Sequence, residues 1–279
     1  MESNHSDLIS ETTQKDHWFF LRLRSIYIIW YREILIYFRN YLKFFTSIFL
    51  PLLLLVFFGT GIEAVFPAEL LEYDFIQFFF PGIIGASISV MALSSTISIV
   101  WDREFGFLRE ILVSPIKRAD IALGKILGAT STAVFQGFFI VLFAPYLKIN
   151  FSTGLFLKTM GIIFMVAYGM SALGILFVSR LKKMESFSIL SQIIVAPMVF
   201  LSGAFFPIGN LPSWMAALSR YNPLTFGIDA LRWITLSKTM PASKISSFSS
   251  YPFSHCLIFL IIFDMIITII SVQMFRRIK

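Results

Sequence analysis

The chain has 279 residues, 57% hydrophobic and 14% charged, with a formal net charge of +7. A soluble domain of this length cannot hide so much apolar surface, so the composition excludes a soluble enzyme or binding module and points to an integral membrane protein. The basic residues flank apolar runs and form no patch, which excludes a nucleic-acid partner and reads instead as loop charge that fixes orientation.

In chain order, residues 1–16 are polar and acidic and read as a disordered cytoplasmic tail. No cleavable signal peptide follows, so the first true span acts as an uncleaved anchor. Over 17–42, Leu23, Ile26, Tyr27, Trp30, Ile34, Tyr37, Phe38 and Tyr41 recur at helical spacing. Arg22, Ser25, Arg32, Glu33, Arg39 and Asn40 fall mostly on the other side, predicting an amphipathic helix in the membrane interface. A six-span domain over 43–275 follows, with spans at about 43–62, 75–100, 120–146, 155–179, 186–206 and 253–275. With both termini cytoplasmic, the inner side holds 17 Lys and Arg and the outer side 6. That bias predicts N-in, C-in topology.

Between spans two and three lies a polar island, Trp101-Asp-Arg-Glu-Phe-Gly-Phe-Leu-Arg-Glu-Ile-Leu-Val-Ser-Pro115. Charges at that density do not stay in hydrocarbon, so a short helix at the cytoplasmic surface is expected. Asp102, Glu104 and Glu110 have no His, Cys or metal partner beside them and read as a solvated helix face. A phosphate-binding loop is not encoded: the one Gly-Lys pair, Gly124-Lys125, is followed by Ile126. His5, His17 and His255 lack metal-ligand spacing, and the single Cys256 reads as a small core residue.

Gly124, Gly128, Thr132 and Gln136 recur every four residues in span three, a packing ridge on which Gln136 can hydrogen-bond across to a neighbour. Gly161, Ala167, Gly169, Ser171 and Gly174 predict similar close packing in span four. Over 206–237, two short helices are expected to dip into the outer leaflet, with Asn222 capping the second, Pro223 at its first position, and Asp229 pairing with Arg232 on its wet face. Asp264, in the middle of span six, is either a proton-coupling group or a neutral acid bonded to Gln192 or Gln136. Most of the 33 Phe face lipid, while some can line an apolar path for an amphipathic cargo.

The island together with Ala119-Asp-Ile-Ala-Leu-Gly-Lys125, and the later Leu201-Ser-Gly-Ala-Phe-Phe-Pro207 with Leu211-Pro and Asn222-Pro223, resembles type-2 ABC transporter permeases, over nearly the whole chain. The island is most similar to daunorubicin-resistance-type drug exporter subunits. The resemblance implies an all-α fold with a coupling helix that docks on a separate ATPase through Glu104, Gly106, Arg109, Glu110, Ser114 and Pro115. It implies that Gly106 lets two helices meet at the bend, that Pro115 ends the helix, and that 17–42 is a connecting helix against the same partner. It also implies a second permease copy, a homodimer, contact with membrane lipid, and ATP and Mg used by the partner and not bound here. The expected role is export of a drug-like or lipid-like amphiphile across a bacterial inner membrane. A polysaccharide or glycolipid cargo, or an ATP-independent carrier, is the alternative.

Overall fold

The computed structural model describes residues 3–65, 75–107, 110, 113, 116–147, 149, 151–181, 183–237 and 241–277, with side chains from Phe20 onward except at 59, 60, 62–65, 210 and 247. Among them only helices form. They are α1 Ser3–Arg39, α2 Tyr41–Val65, α3 Phe75–Ser95, α4 Ser98–Glu104, α5 Arg118–Leu142, α6 Thr153–Arg180, α7 Met184–Phe200, α8 Ser213–Ser219, α9 Pro223–Thr235, α10 Ala242–Phe248 and α11 Phe253–Arg276. Five stretches are long and apolar enough to cross a membrane: the first part of α2, α3 with α4, α5, α6 and α11. The shorter apolar helix α7 is 17 residues long.

Local chemistry sets the boundaries. Asn40 interrupts the first two helices, and its Oδ1 accepts from Lys43 N at 3.1 Å, capping α2. Asn222 caps α9, accepting from Leu224 N at 3.0 Å with Pro223 in the first turn, as its sequence suggests. The fifth apolar helix stops at Phe200, six residues short of the expected 206. The chain turns at Leu201–Phe206, where Gly203 adopts φ +76, a conformation an L side chain resists.

The core lies where α3, α5, α6, α9 and α11 pack together. Lipid hydrates no backbone, so helices are the economical way to fill it, and small residues bring them close. Gly82 lies directly under the carbonyl of Ala204, and Gly174 leaves 2.5 Å between a would-be Cβ and Thr96 Oγ1. Gly161 instead faces open space, so it does not belong to the close-packed face expected for span four. Helices α2 and α11 present broad apolar flanks, including Phe45, Phe49, Ile262 and Ile266.

Two expectations change. The backbone is helical from Ser3, where a disordered tail to Asp16 was expected; no Gly or Pro interrupts Ser3–Arg39, so nothing stops the helix from extending backward. Helix α9 is not a surface helix. It is buried against α3, α6 and α11, and Asp229 and Arg232 pair at 3.5 Å inside the protein and not on a wet face. The cost of burying that pair is offset by many partners. Asp229 accepts from Ser250 N at 2.8 Å, while Arg232 donates to the Gly203 and Phe248 carbonyls and lies 4.2 Å over the Phe78 ring.

Candidate coupling site

The polar island divides in two. Its first turn belongs to α4, and there Asp102 points inward. Asp102 accepts from Arg32 of α1 at 2.5 and 3.0 Å and from Lys125 of α5 at 2.6 Å. Lys125 also donates to Glu33 of α1 at 2.6 Å and to Ser98 at 3.1 Å. Lys125, at 2% exposure, Asp102 and Glu33 are all buried, so two carboxylates and two cations share one charge cluster that ties α1, α4 and α5 together. A buried charge is tolerable only when paired and hydrogen-bonded, and each member of this cluster is.

The second part of the island is outward. Glu104, Phe105, Phe107, Glu110 and Val113 are exposed, Val113 at 87%. Phe107, Glu110 and Val113 are three apart and helical, so they share one face. Gly106 joins the parts at φ +81 with nothing within 4 Å of a would-be Cβ. The glycine serves the backbone turn, therefore, and not the close helix approach expected for it. Arg103 anchors the joint from the other side by donating to the Leu181 carbonyl at the end of α6. Arg32 stacks 4.6 Å over Phe107, linking the buried cluster to the exposed face. Arg109, Ser114 and Pro115 lie outside the described residues.

The acids at 102, 104 and 110 thus form no common solvated face, because one of them is consumed in the interior. Helix α1, expected as an amphipathic interfacial helix, lays one stripe against the bundle. Its Ile29, Glu33 and Tyr37 stripe is buried, and the helix packs along α5. Gly124 brings Ile29 to 2.8 Å from a would-be Cβ, and Gly128 brings Glu33 to 2.5 Å. Arg22 pairs with buried Asp120 at 2.9 Å, and Trp30 donates to Ser131 at 2.9 Å. The rest of the ridge serves other neighbours: Thr132 shares a hydrogen bond with Ser95 of α3 at 3.0 Å, and Gln136 donates to the Ser47 carbonyl of α2 at 2.7 Å.

Asp264 stands apart from this site. It packs against Gly169 of α6, and neither expected glutamine is its partner. Gln136 is bonded to α2, and Gln192 donates to Ser188 on the exposed side of α7. Among the described residues no group of three or more His, Cys, Asp or Glu is placed to hold a metal ion.

Comparison with known proteins bears on what this arrangement serves. Residues 24–236 match the family model described as ABC-2 type transporter. The chain belongs to that family. The ABC-2 match begins inside α1 and ends at the close of α9, so it takes in the charge cluster, the island and the buried Asp229–Arg232 pair. With five apolar helices of spanning length, this ABC-2 chain is a multi-pass membrane protein. It is 31% identical over 234 residues to a protein of Cyanophora paradoxa named transport permease ycf38, covering 82% of this chain and 81% of that one. It is 31% identical over 170 residues to Escherichia coli YbhR, named as a multidrug ABC transporter permease, covering 58% of this chain and 45% of that one. Nodulation protein J of Rhizobium leguminosarum bv. trifolii is 26% identical over 188 residues, covering 67% of this chain and 71% of that one. The matched region is 64% of the Porphyra purpurea ycf38 protein.

Proposed function

We propose that the chain is the membrane subunit of an ATP-driven exporter of amphipathic compounds, and that a separate ATPase subunit docks on the outward face at Phe105–Val113. The observation that carries this reading is the construction of the island. An exposed helical face with Glu110 and Val113 on it is joined through one glycine turn to a buried ion cluster that grips three helices. A load on such a face moves α1, α4 and α5 together, because separating a buried pair is strongly unfavourable. ATP and Mg belong to the partner in this reading, since no phosphate-binding loop is present in the sequence.

In this reading the membrane is a bacterial inner membrane, and the Lys and Arg bias supports a cytoplasmic position for this end of the bundle and for both termini. Helix α7 is then the fifth of six spans, the one the five longer helices lack. At 17 residues it is about 26 Å long, just under the hydrocarbon thickness, and the turn after Phe200 completes the crossing. A second copy, forming a homodimer, covers the apolar flank of α2 and the exposed Ile189 and Ile193 of α7. Cargo follows the cleft of about 430 Å³ between α2, α3 and the end of α7, whose wall is mostly apolar. The likeness to a chain named for multidrug transport supports a drug-like cargo, and the likeness to nodulation protein J keeps a glycolipid-like cargo as the second reading.

Co-expression with the cognate ATPase tests the docking claim. Glu110→Lys reverses an exposed charge without touching the core, so it should insert normally and lose the complex. Unchanged association and ATPase activity would count against the island as the docking face.

A further inference from the structure

Two clefts meet at Lys43. One, of about 340 Å³, opens between α1, α4 and α5, and Glu33, Asp102, Trp101 and Phe105 line it. The other, of about 430 Å³, runs between α2, α3 and the end of α7 and is lined by groups such as Leu50, Ile83, Val90 and Phe205. Lys43 lines both.

Lys43 lies in the field of Glu33 but closes no ion pair with it. Around the first cleft Asp102 serves Arg32 and Lys125, and Glu33 serves Lys125. Two carboxylates are already committed to two cations, and none of the ion pairs among the described residues includes Lys43. Its ammonium offers three donors on a flexible stem in the first turn of an apolar helix. A half-buried cation next to an apolar cleft is stabilised by an anion that brings its own apolar surface.

We infer that the two clefts form one entry site for a single-chain amphiphile with an anionic head. The head sits on Lys43 at the mouth near Asn40 and Trp101, and the tail lies along α2 and α3. This rests on the exporter reading and names the charge class of its cargo. A cationic amphiphile lacks the group that Lys43 selects.

The test uses the full chain purified in an uncharged maltoside detergent, with radiolabelled dodecyl phosphate as probe in a scintillation-proximity binding assay. Binding should be saturable. Unlabelled dodecyl phosphate should displace the label at a concentration about tenfold lower than dodecyltrimethylammonium, which has the same tail and the opposite charge. Lys43→Gln should weaken binding about tenfold and Lys43→Arg should preserve it. Val90→Trp, which narrows the apolar cleft and leaves the charges alone, should weaken both probes. Absence of saturable binding in the unaltered chain would mean that Lys43 only reaches for bulk headgroups, and would overturn the inference. Equal displacement by the two amphiphiles, or an unchanged affinity in Lys43→Gln, would overturn it as well. The assay contains no ATPase, so its failure leaves the docking claim standing, and a failed docking test leaves this result readable.

Discussion

Asp102 accepts hydrogen bonds from Arg32 and Lys125, which stand on different helices, while its neighbour Trp101 is turned outward. Removing the anion leaves Lys125 with Glu33 alone and Arg32 with no acid of its own in the cluster. Asp102→Asn should therefore destabilise the chain by about 3 kcal/mol, the low end for a broken buried pair because Arg32 is a third exposed. A lowered thermal midpoint in detergent checks it, and Arg32→Met in the same chain should recover part of the loss by removing the cation left without an acid. An unchanged midpoint would show the cluster to be dispensable. This role was hidden in the sequence because the partners of Asp102 stand 70 and 23 residues away, and a carboxylate in a charged run looks solvated until its partners are placed. Asp264 is a different case. Its position in the middle of an apolar span was legible, and its lack of a glutamine partner was not. With one acid and no relay beside it, Asp264→Asn should leave transport in vesicles nearly unchanged and its pH dependence intact. Abolished transport in a well-folded variant would instead assign it proton coupling.

At the scale of elements, the joint between α1 and α5 depends on two glycines. A side chain at position 128 meets Glu33 of α1 well inside van der Waals distance, whereas one at position 161 meets nothing. Gly128→Leu should push α1 away and pull Glu33 from Lys125, costing about 3 kcal/mol by overpacking and by parting the buried Glu33 carboxylate from its cation. Gly161→Leu should be neutral to within about 0.5 kcal/mol. Comparing the two midpoints checks the joint, and equal effects would contradict it. The four-residue ridge was readable from spacing alone, because helical geometry puts positions 124, 128, 132 and 136 on one side. Which helix each member meets was not, since α1, α2 and α3 arrive from distant parts of the chain. The same limit explains α9. A short helix with an acid and a base three apart reads as amphipathic, yet its polar pair bonds to backbone of the Gly203 turn and of Phe248–Tyr251, and the helix lies in the core.

For the whole molecule, composition alone establishes a membrane chain, and the two motif regions lead to its family before any coordinate is known. What only the fold adds is the division of the island into a buried anchor and an exposed face. The account holds that force enters at that face and spreads through the ion cluster to α1 and α5. Affinity purification of the ATPase with this chain, scored for complex and for ATPase activity in lipid, tests that claim most directly. Glu110→Lys should abolish capture while the chain still reaches the membrane, and Asp102→Asn should keep capture but uncouple ATP hydrolysis from transport. Full capture and full transport in Glu110→Lys would contradict the account.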